Sequence, residues 1–206
     1  MAKLQRFVRK SADSGWQPVG DTIPVSLGRS GLAWGSGRHP AGAASGRCKR
    51  EGDGCAPAGI FAINELFGNA APDSDFARAA RLPYRHATPD LLAIDDPASA
   101  CYNRIVDQRD IAAPDWVSHE DMLRGDQRYA VGAVIAHNAA PPVPGAGSCI
   151  FLHVWQASGM PTAGCTAGAL ADISEICGWL DGAASPLLVQ LPQAEYRRFR
   201  ESWALP

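Results

Sequence analysis

Short apolar or alternating runs recur along the chain, separated by clusters of Gly, Pro and small polar residues. Ile23 to Leu27, Gly59 to Asn64, Leu91 to Ile94, Tyr129 to His137, Cys149 to Trp155 and Leu187 to Leu191 each have the length and patterning of a strand. Leu4 to Val8 is strand-like as well. Between them lie turn signals such as Gly28 to Gly37, Glu51 to Gly54 and Pro141 to Gly147, and the glycine-rich GRSGLAWGSG run reads as a loop. Helical spacing emerges late, where Leu170, Ile173, Ile176, Cys177 and Leu180 recur three or four apart before Asp181-Gly182 ends the pattern, so a helix is predicted to begin just after Cys165. A second, short helix is predicted from Gln193 to Trp203, with Arg197, Arg198 and Arg200 facing solvent. The pattern predicts a β-rich α+β fold in a single domain over residues 1–206, with its core at about 22–192. It has a mixed, β-sandwich-like sheet core, one helix following Cys165 and a short C-terminal helix.

Composition narrows the field. The 206 residues are 46% hydrophobic and 19% charged, enough for a sizeable core and unlike a disordered chain. The 21 Gly and 16 Pro are spread along the sequence, which fits many tight turns and excludes a long helical bundle. Nineteen basic against 21 acidic residues leave a net charge of −2, without the positive field that binds nucleic acid or anionic membranes. No apolar stretch approaches the about 18 residues needed to span a bilayer. The opening MAKLQRFVRKSADSGW has no apolar core of a secretory signal, so localisation must be read from elsewhere. Six cysteines, at 48, 55, 101, 149, 165 and 177, form no CxxC pair, so a zinc ribbon is not expected.

Chemistry concentrates in Ser148 to Ala167, SCIFLHVWQASGMPTAGCTA. His153 ends a predicted inner strand, and Cys165 sits in a Thr-Ala-Gly-Cys turn leading to a predicted helix. A chain reversal through Ser158 to Pro161 would return Cys165 to the strand carrying His153. A thiol becomes nucleophilic when an imidazole and a helix N-terminus favour its anion. Gly164 would let the backbone approach a bound carbonyl, and N–H groups around Ala163 to Thr166 could form an oxyanion hole. Two readings of this spacing stand side by side: a Cys/His catalytic pair, and a buried thiol beside a hydrogen-bonded core histidine. A metal site from His153, Cys149 and Cys165 lacks a fourth ligand and the spacing of one. Cys149 and Cys177 fall at apolar positions of a strand and a helix and read as core thiols.

HVWQASGMPTAGC resembles the active-site segment of the L,D-transpeptidase catalytic domain family (YkuD type), with His153, Thr162, Gly164 and Cys165 at the matching positions. KREGDGCAPAGIFAI, from Lys49, resembles the same family's Lys-x-Glu-Gly-Asp-Gly signature, and DDPASACYNRIVD, from Asp95, its Tyr-Asn stretch. The three segments occur in the family's order. The resemblance implies a cysteine acyltransferase of peptidoglycan biosynthesis, and so of cell wall and cell shape. Cys165 would cleave the donor stem peptide at diaminopimelate and hold it as a thioester, with His153 as base and then acid. An acceptor stem amine would take the acyl group to form the cross-link. It also implies that a main-chain carbonyl, that of Val154, orients the imidazole, that no cofactor or metal is used, and that the protein is a monomer. Its place would be the periplasm or cell envelope, with an export signal outside these 206 residues. Water in place of the amine would make the enzyme an L,D-carboxypeptidase; loss of catalysis would leave a peptidoglycan-binding module.

The chain departs from the family after the nucleophile, where Thr166-Ala167 stands in place of a common arginine, and the interval from His153 to Cys165 is short. Carboxylates on the substrate call for an arginine elsewhere. Arg104 is the first candidate, with Tyr102 and Asn103 beside it in the groove; the same residues read equally as turn-forming polar sequence next to a strand. His137 and Asn138 end another strand and are candidates for the same groove, although a buried, hydrogen-bonded His137 accounts for that position better. Trp155 and Thr162 complete the expected substrate-binding set. In an oxidising compartment a Cys55–Cys101 bridge would be permitted.

Overall fold

The computed structural model describes residues 1–11, 13–40, 42–139 and 141–206. In chain order its strands are β1 (Ala2–Val8), β2 (Gln17–Val25), β3 (Leu32–Trp34), β4 (Ala56–Gly68), β5 (Tyr84–His86), β6 (Leu91–Ile94), β7 (Arg104–Asp107), β8 (Glu120–Asp121), β9 (Val131–Ile135), β10 (Phe151–Val154), β11 (Thr166–Gly168) and β12 (Leu187–Gln190). The helices are α1 (Asp75–Ala79), α2 (Leu170–Trp179) and α3 (Gln193–Phe199). This is the β-rich α+β fold that the pattern predicts, built on a curled mixed sheet.

The organising strand is β4, 13 residues long. Its apolar run pairs with β9 and β12 antiparallel and with β3 and β5 parallel, and a register shift between Ile63 and Glu65 lets one strand serve so many neighbours. Beyond β9 the sheet continues antiparallel to β10 and then parallel to β11, in the order β11-β10-β9-β4-β12. Side chains of β10 alternate between two cores. Leu152 and Val154 pack with Leu66, Ala133 and Ile135 against Ile173, Ile176 and Cys177 of α2. Phe151 faces the other way, into a second cluster with Phe67, Ala93, Met122, Tyr129, Cys149 and Cys165. Over that second face lies a small antiparallel sheet, β7-β6-β8.

Three differences from the sequence pattern matter. The GRSGLAWGSG run is not wholly loop: Leu32 to Trp34 form β3, because Ala33 and Trp34 bury against β4 and Trp34 meets the C-terminal aromatics Phe199 and Trp203 edge-on. The helix does not start beside Cys165; Thr166 to Gly168 extend as β11 first, since Ala167 is held both by β10 and by Ser26, and α2 begins at Leu170. All six cysteines are free, Cys55 buried and Cys101 half-buried, so there is no Cys55–Cys101 bridge.

The Lys49-x-Glu51-x-Asp53 segment is a polar knot within this frame. Lys49 Nζ and Asp53 Oδ1 meet at 2.7 Å with both side chains almost fully enclosed. Asp53 also accepts from the N–H groups of Cys55 and Arg50, while Lys49 also donates to the Arg50 carbonyl. Gly52 and Gly54 supply the positive φ, 68° and 70°, that folds the turn around the pair. Burial would raise the Asp53 pKa, but the Lys49 ammonium and the two N–H donors outweigh it and the carboxyl lies below its ordinary value. Removing one partner leaves the other charge enclosed and uncompensated. Lys49→Met should therefore destabilise by about 3–5 kcal/mol, a fall in Tm of about 10 °C for a chain of this size. Thermal unfolding followed by circular dichroism checks this; a change below about 2 °C would show that the pair contributes nothing net.

Candidate functional site

Strand register builds the site. β10 and β11 run parallel, with Leu152 opposite Thr166 and His153 opposite Ala167. Cys165 immediately precedes β11 and so lies alongside Phe151, whose N–H donates to Cys165 Sγ at 3.3 Å. Phe151 and His153 share a face because side chains alternate, which places the imidazole and the thiol on one surface, diagonally two register positions apart. Both are buried, His153 6% and Cys165 8% exposed.

His153 is held by its surroundings. Nδ1 lies 2.8 Å from the Val154 carbonyl. The Tyr129 ring stands edge-on to it at 5.3 Å between centroids. Burial dominates its titration and, with the Arg128 and Arg124 charges, lowers the pKa to about 4 although the Val154 carbonyl acts the other way. Burial also pushes the Cys165 thiol up to about 12, with Glu120 adding to the rise, while the Phe151 N–H and Lys49 act the other way. At neutral pH the structure thus holds a neutral thiol and a neutral imidazole. The thiol points at the Cys149 carbonyl, 3.5 Å away, and makes no hydrogen bond to the imidazole. Among the described residues the next helix in the chain, α2, begins only at Leu170, beyond β11.

The Thr-Ala-Gly-Cys turn is locked by its own side chain. Thr162 Oγ1 donates to the Cys165 carbonyl at 2.6 Å and accepts the Gly164 N–H at 3.2 Å. The Gly164 N–H is therefore committed within the turn. A Cβ at residue 164 would come 3.2 Å from the Cys55 carbonyl oxygen, so any larger residue there would press on that backbone. The Thr166 hydroxyl turns to the opposite face and meets Gln190 Oε1.

Several expected groove residues lie beneath the site as its framework. The Tyr102 hydroxyl donates to Glu51 Oε2 at 2.5 Å, and Ser148 Oγ donates to the same oxygen. Asn103 Nδ2 donates to the carbonyls of His137 and Asn138, and Asn103 Oδ1 accepts the N–H of Cys149. Asn103, Asn138 and Cys149 all have positive φ, at 60°, 51° and 52°. His137 is buried with both ring nitrogens engaged: Nδ1 accepts the Ser36 N–H and Nε2 lies 3.0 Å from the Ala146 carbonyl. Asn138 closes the following loop through Val143 and Gly147. Trp155 is half-buried at the end of β10, its N–H bonded to Gly168. Arg104 is exposed at the first residue of β7, and the charges acting on His153 and Cys165 are instead those of Arg124, Arg128, Glu120 and Lys49.

Glu120 and Arg124 had no sequence signal beyond a polar stretch, and Tyr129 only that of opening a predicted strand. Glu120 accepts from the Tyr129 hydroxyl, and Arg124 Cζ lies 5.0 Å over the Tyr129 ring. Burial raises the Glu120 pKa above its ordinary value. Glu120 belongs to the two-residue strand β8, too short to leave a periodic pattern.

Among the described residues no cluster of His, Cys, Asp and Glu could hold a metal ion, and no helix is long and apolar enough to cross a membrane. Among curated proteins and among solved structures nothing matches the chain. The family model of the L,D-transpeptidase catalytic domain, YkuD, matches residues 15–189 and so takes in every element from β2 to β11, both sides of the Cys165 turn and the polar knot. The chain belongs to the L,D-transpeptidase catalytic domain family, whose members act on the peptides of peptidoglycan.

Proposed function

We propose that the protein is an L,D-transpeptidase in which Cys165 is the nucleophile and His153 its base, joining donor and acceptor stem peptides in the periplasm or cell envelope as a monomer. One observation carries the reading: the imidazole and the thiol share a buried face of adjacent parallel strands, with the ring anchored through Nδ1 to the Val154 carbonyl. That anchor leaves Nε2 as the basic nitrogen and gives any imidazolium an acceptor at once.

The chemistry starts from the neutral pair. Rotation about the Cys165 Cα–Cβ bond takes the thiol from the Cys149 carbonyl to the ring, and His153 removes the Sγ proton as sulfur attacks the carbonyl at diaminopimelate. The charge that develops on the carbonyl oxygen needs main-chain donors, and with the Gly164 N–H engaged by Thr162 the Cys165 N–H is the donor at hand. The C–N bond breaks, the imidazolium returns its proton to the departing amine, and a thioester remains on Sγ. The acceptor amine then attacks the thioester, His153 takes the amine proton, the C–S bond breaks and the thiol is restored. The enclosed site keeps competing water away from the thioester.

Two outcomes are expected. Cys165→Ala should reduce conversion of purified muropeptides, read by mass, by more than about 1,000-fold while leaving the circular dichroism melt within a few degrees; full conversion by the variant would remove the assignment. Acylation of Cys165 by a carbapenem should follow loss of the imidazolium proton. The His153 pKa lies below 6.5, near 4, so the rate should rise on the acid side of pH 6.5 and stay flat through neutrality. His153→Gln should abolish that plateau and leave a slow rate climbing about tenfold per pH unit toward the raised thiol pKa. A wild-type rate still climbing from pH 7 to 9 would mean that the thiol ionises unaided.

A further inference from the structure

An enzyme that reads a short peptide end needs a cation for its carboxylate, and the arginine expected after the nucleophile is Thr166 here, turned away onto Gln190. Most cations around the site are already committed. Lys49 is enclosed with Asp53. Arg128 grips Asp126 through Nε at 2.8 Å and Nη2 at 2.6 Å. Arg124 is different. Its nearest carboxylate oxygens, on Glu120 and Asp126, stand at 3.8 Å and 4.0 Å, beyond hydrogen-bond reach, and both carboxylates have better partners in Tyr129 and Arg128. Its Nε is buried without a hydrogen-bond partner, while 26% of the side chain remains exposed. A guanidinium thus sits over the Tyr129 ring, its carbon 5.0 Å from the centroid, with its donors unfilled and the side chain partly open to solvent.

Position says what it can read. The legs from Arg124 Cζ to the Tyr129 ring and from that ring to His153 are 5.0 Å and 5.3 Å, which keeps the guanidinium carbon within roughly 10 Å of the imidazole. His153 protonates the departing amine. The path from imidazole to amine, through the departing residue's backbone to its own carboxylate, and on to a guanidinium nitrogen spans about 9 Å. We propose that Arg124 is the specificity-determining residue of the site and binds the free α-carboxylate of the residue that leaves, in place of an arginine next to the nucleophile. The inference rests on the transpeptidase reading above for the identity of that residue. A paired, charge-assisted contact of this kind favours a free acid over its amide.

The test uses two probes, a disaccharide tetrapeptide and the same molecule with its terminal carboxylate converted to the amide, titrated calorimetrically into the Cys165→Ala protein so that binding is read without turnover. The acid should bind at least about tenfold more tightly than the amide. Adding Arg124→Gln should bring the ratio to near one, and Arg124→Lys should restore part of it, which loss of folding would not do. Equal binding of acid and amide with Arg124 present, or a preference that survives Arg124→Gln, would overturn the proposal. Turnover of the acid by the unsubstituted protein is scored separately: preference without turnover supports the carboxylate site and removes the reaction, and turnover without preference does the reverse.

Discussion

The carboxamide of Asn103 is the constraint on which the site depends. Its Nδ2 ties down the carbonyls of His137 and Asn138, and its Oδ1 holds the N–H of Cys149. Cys149 is a non-glycine residue at φ 52°, a conformation that persists only where its surroundings over-determine it. The strained turn delivers the chain into β10 with the Cys149 carbonyl facing the Cys165 thiol and the Phe151 N–H two residues on. A sheet slipped by one residue would put Leu152 where Phe151 lies and move His153 to the α2 face. Main-chain bonds from a single side chain, rather than apolar packing, therefore set the register that matters for chemistry.

This also gives physical meaning to the three segments that carry the family resemblance. Lys49 and Asp53 enclose their ion pair and stiffen the turn, Glu51 reaches out of that turn to Tyr102 and Ser148, and Asn103 passes the restraint to Cys149. Residues far apart in sequence form one polar scaffold around the turn that faces Cys165. Buried polar groups of this sort are costly unless every member is satisfied, and here nearly every donor and acceptor is. Arg124 Nε is an exception, buried with no hydrogen-bond partner.

Much of this was legible in advance where one element carried its own signal. Leu91 to Ile94 and the spacing of Ile173, Ile176 and Cys177 mark a buried strand and a helix face without help from tertiary structure. β3, β5, β8 and β11 have two or three residues each, too few for any period to register, and they exist because a neighbour offers them hydrogen bonds. The same limit explains Cys165: apolar spacing placed a helix at its back, whereas pairing with Leu152 and Ser26 extended the chain first. His153 and Cys165 could be singled out from local spacing and family likeness. Tyr102, Asn103 and His137 were legible as notable residues but not as framework, since their partners lie tens of positions away. The stacking of Arg124 on Tyr129 leaves no trace in local sequence at all.

The segment from Gln156 to Pro161 is exposed throughout, yet the residues on either side of it are pinned. At one end the Trp155 N–H bonds to Gly168; at the other, Thr162 exchanges hydrogen bonds with Leu27 and Arg29. Changes in the length of such a loop act only through closure entropy, about 0.6 kcal/mol for each doubling. The loop joining the strand of His153 to the turn of Cys165 is in this sense modular: it can be lengthened, shortened or rewritten without disturbing the placement of sulfur against imidazole, and the short interval in this chain is one setting of that adjustable part.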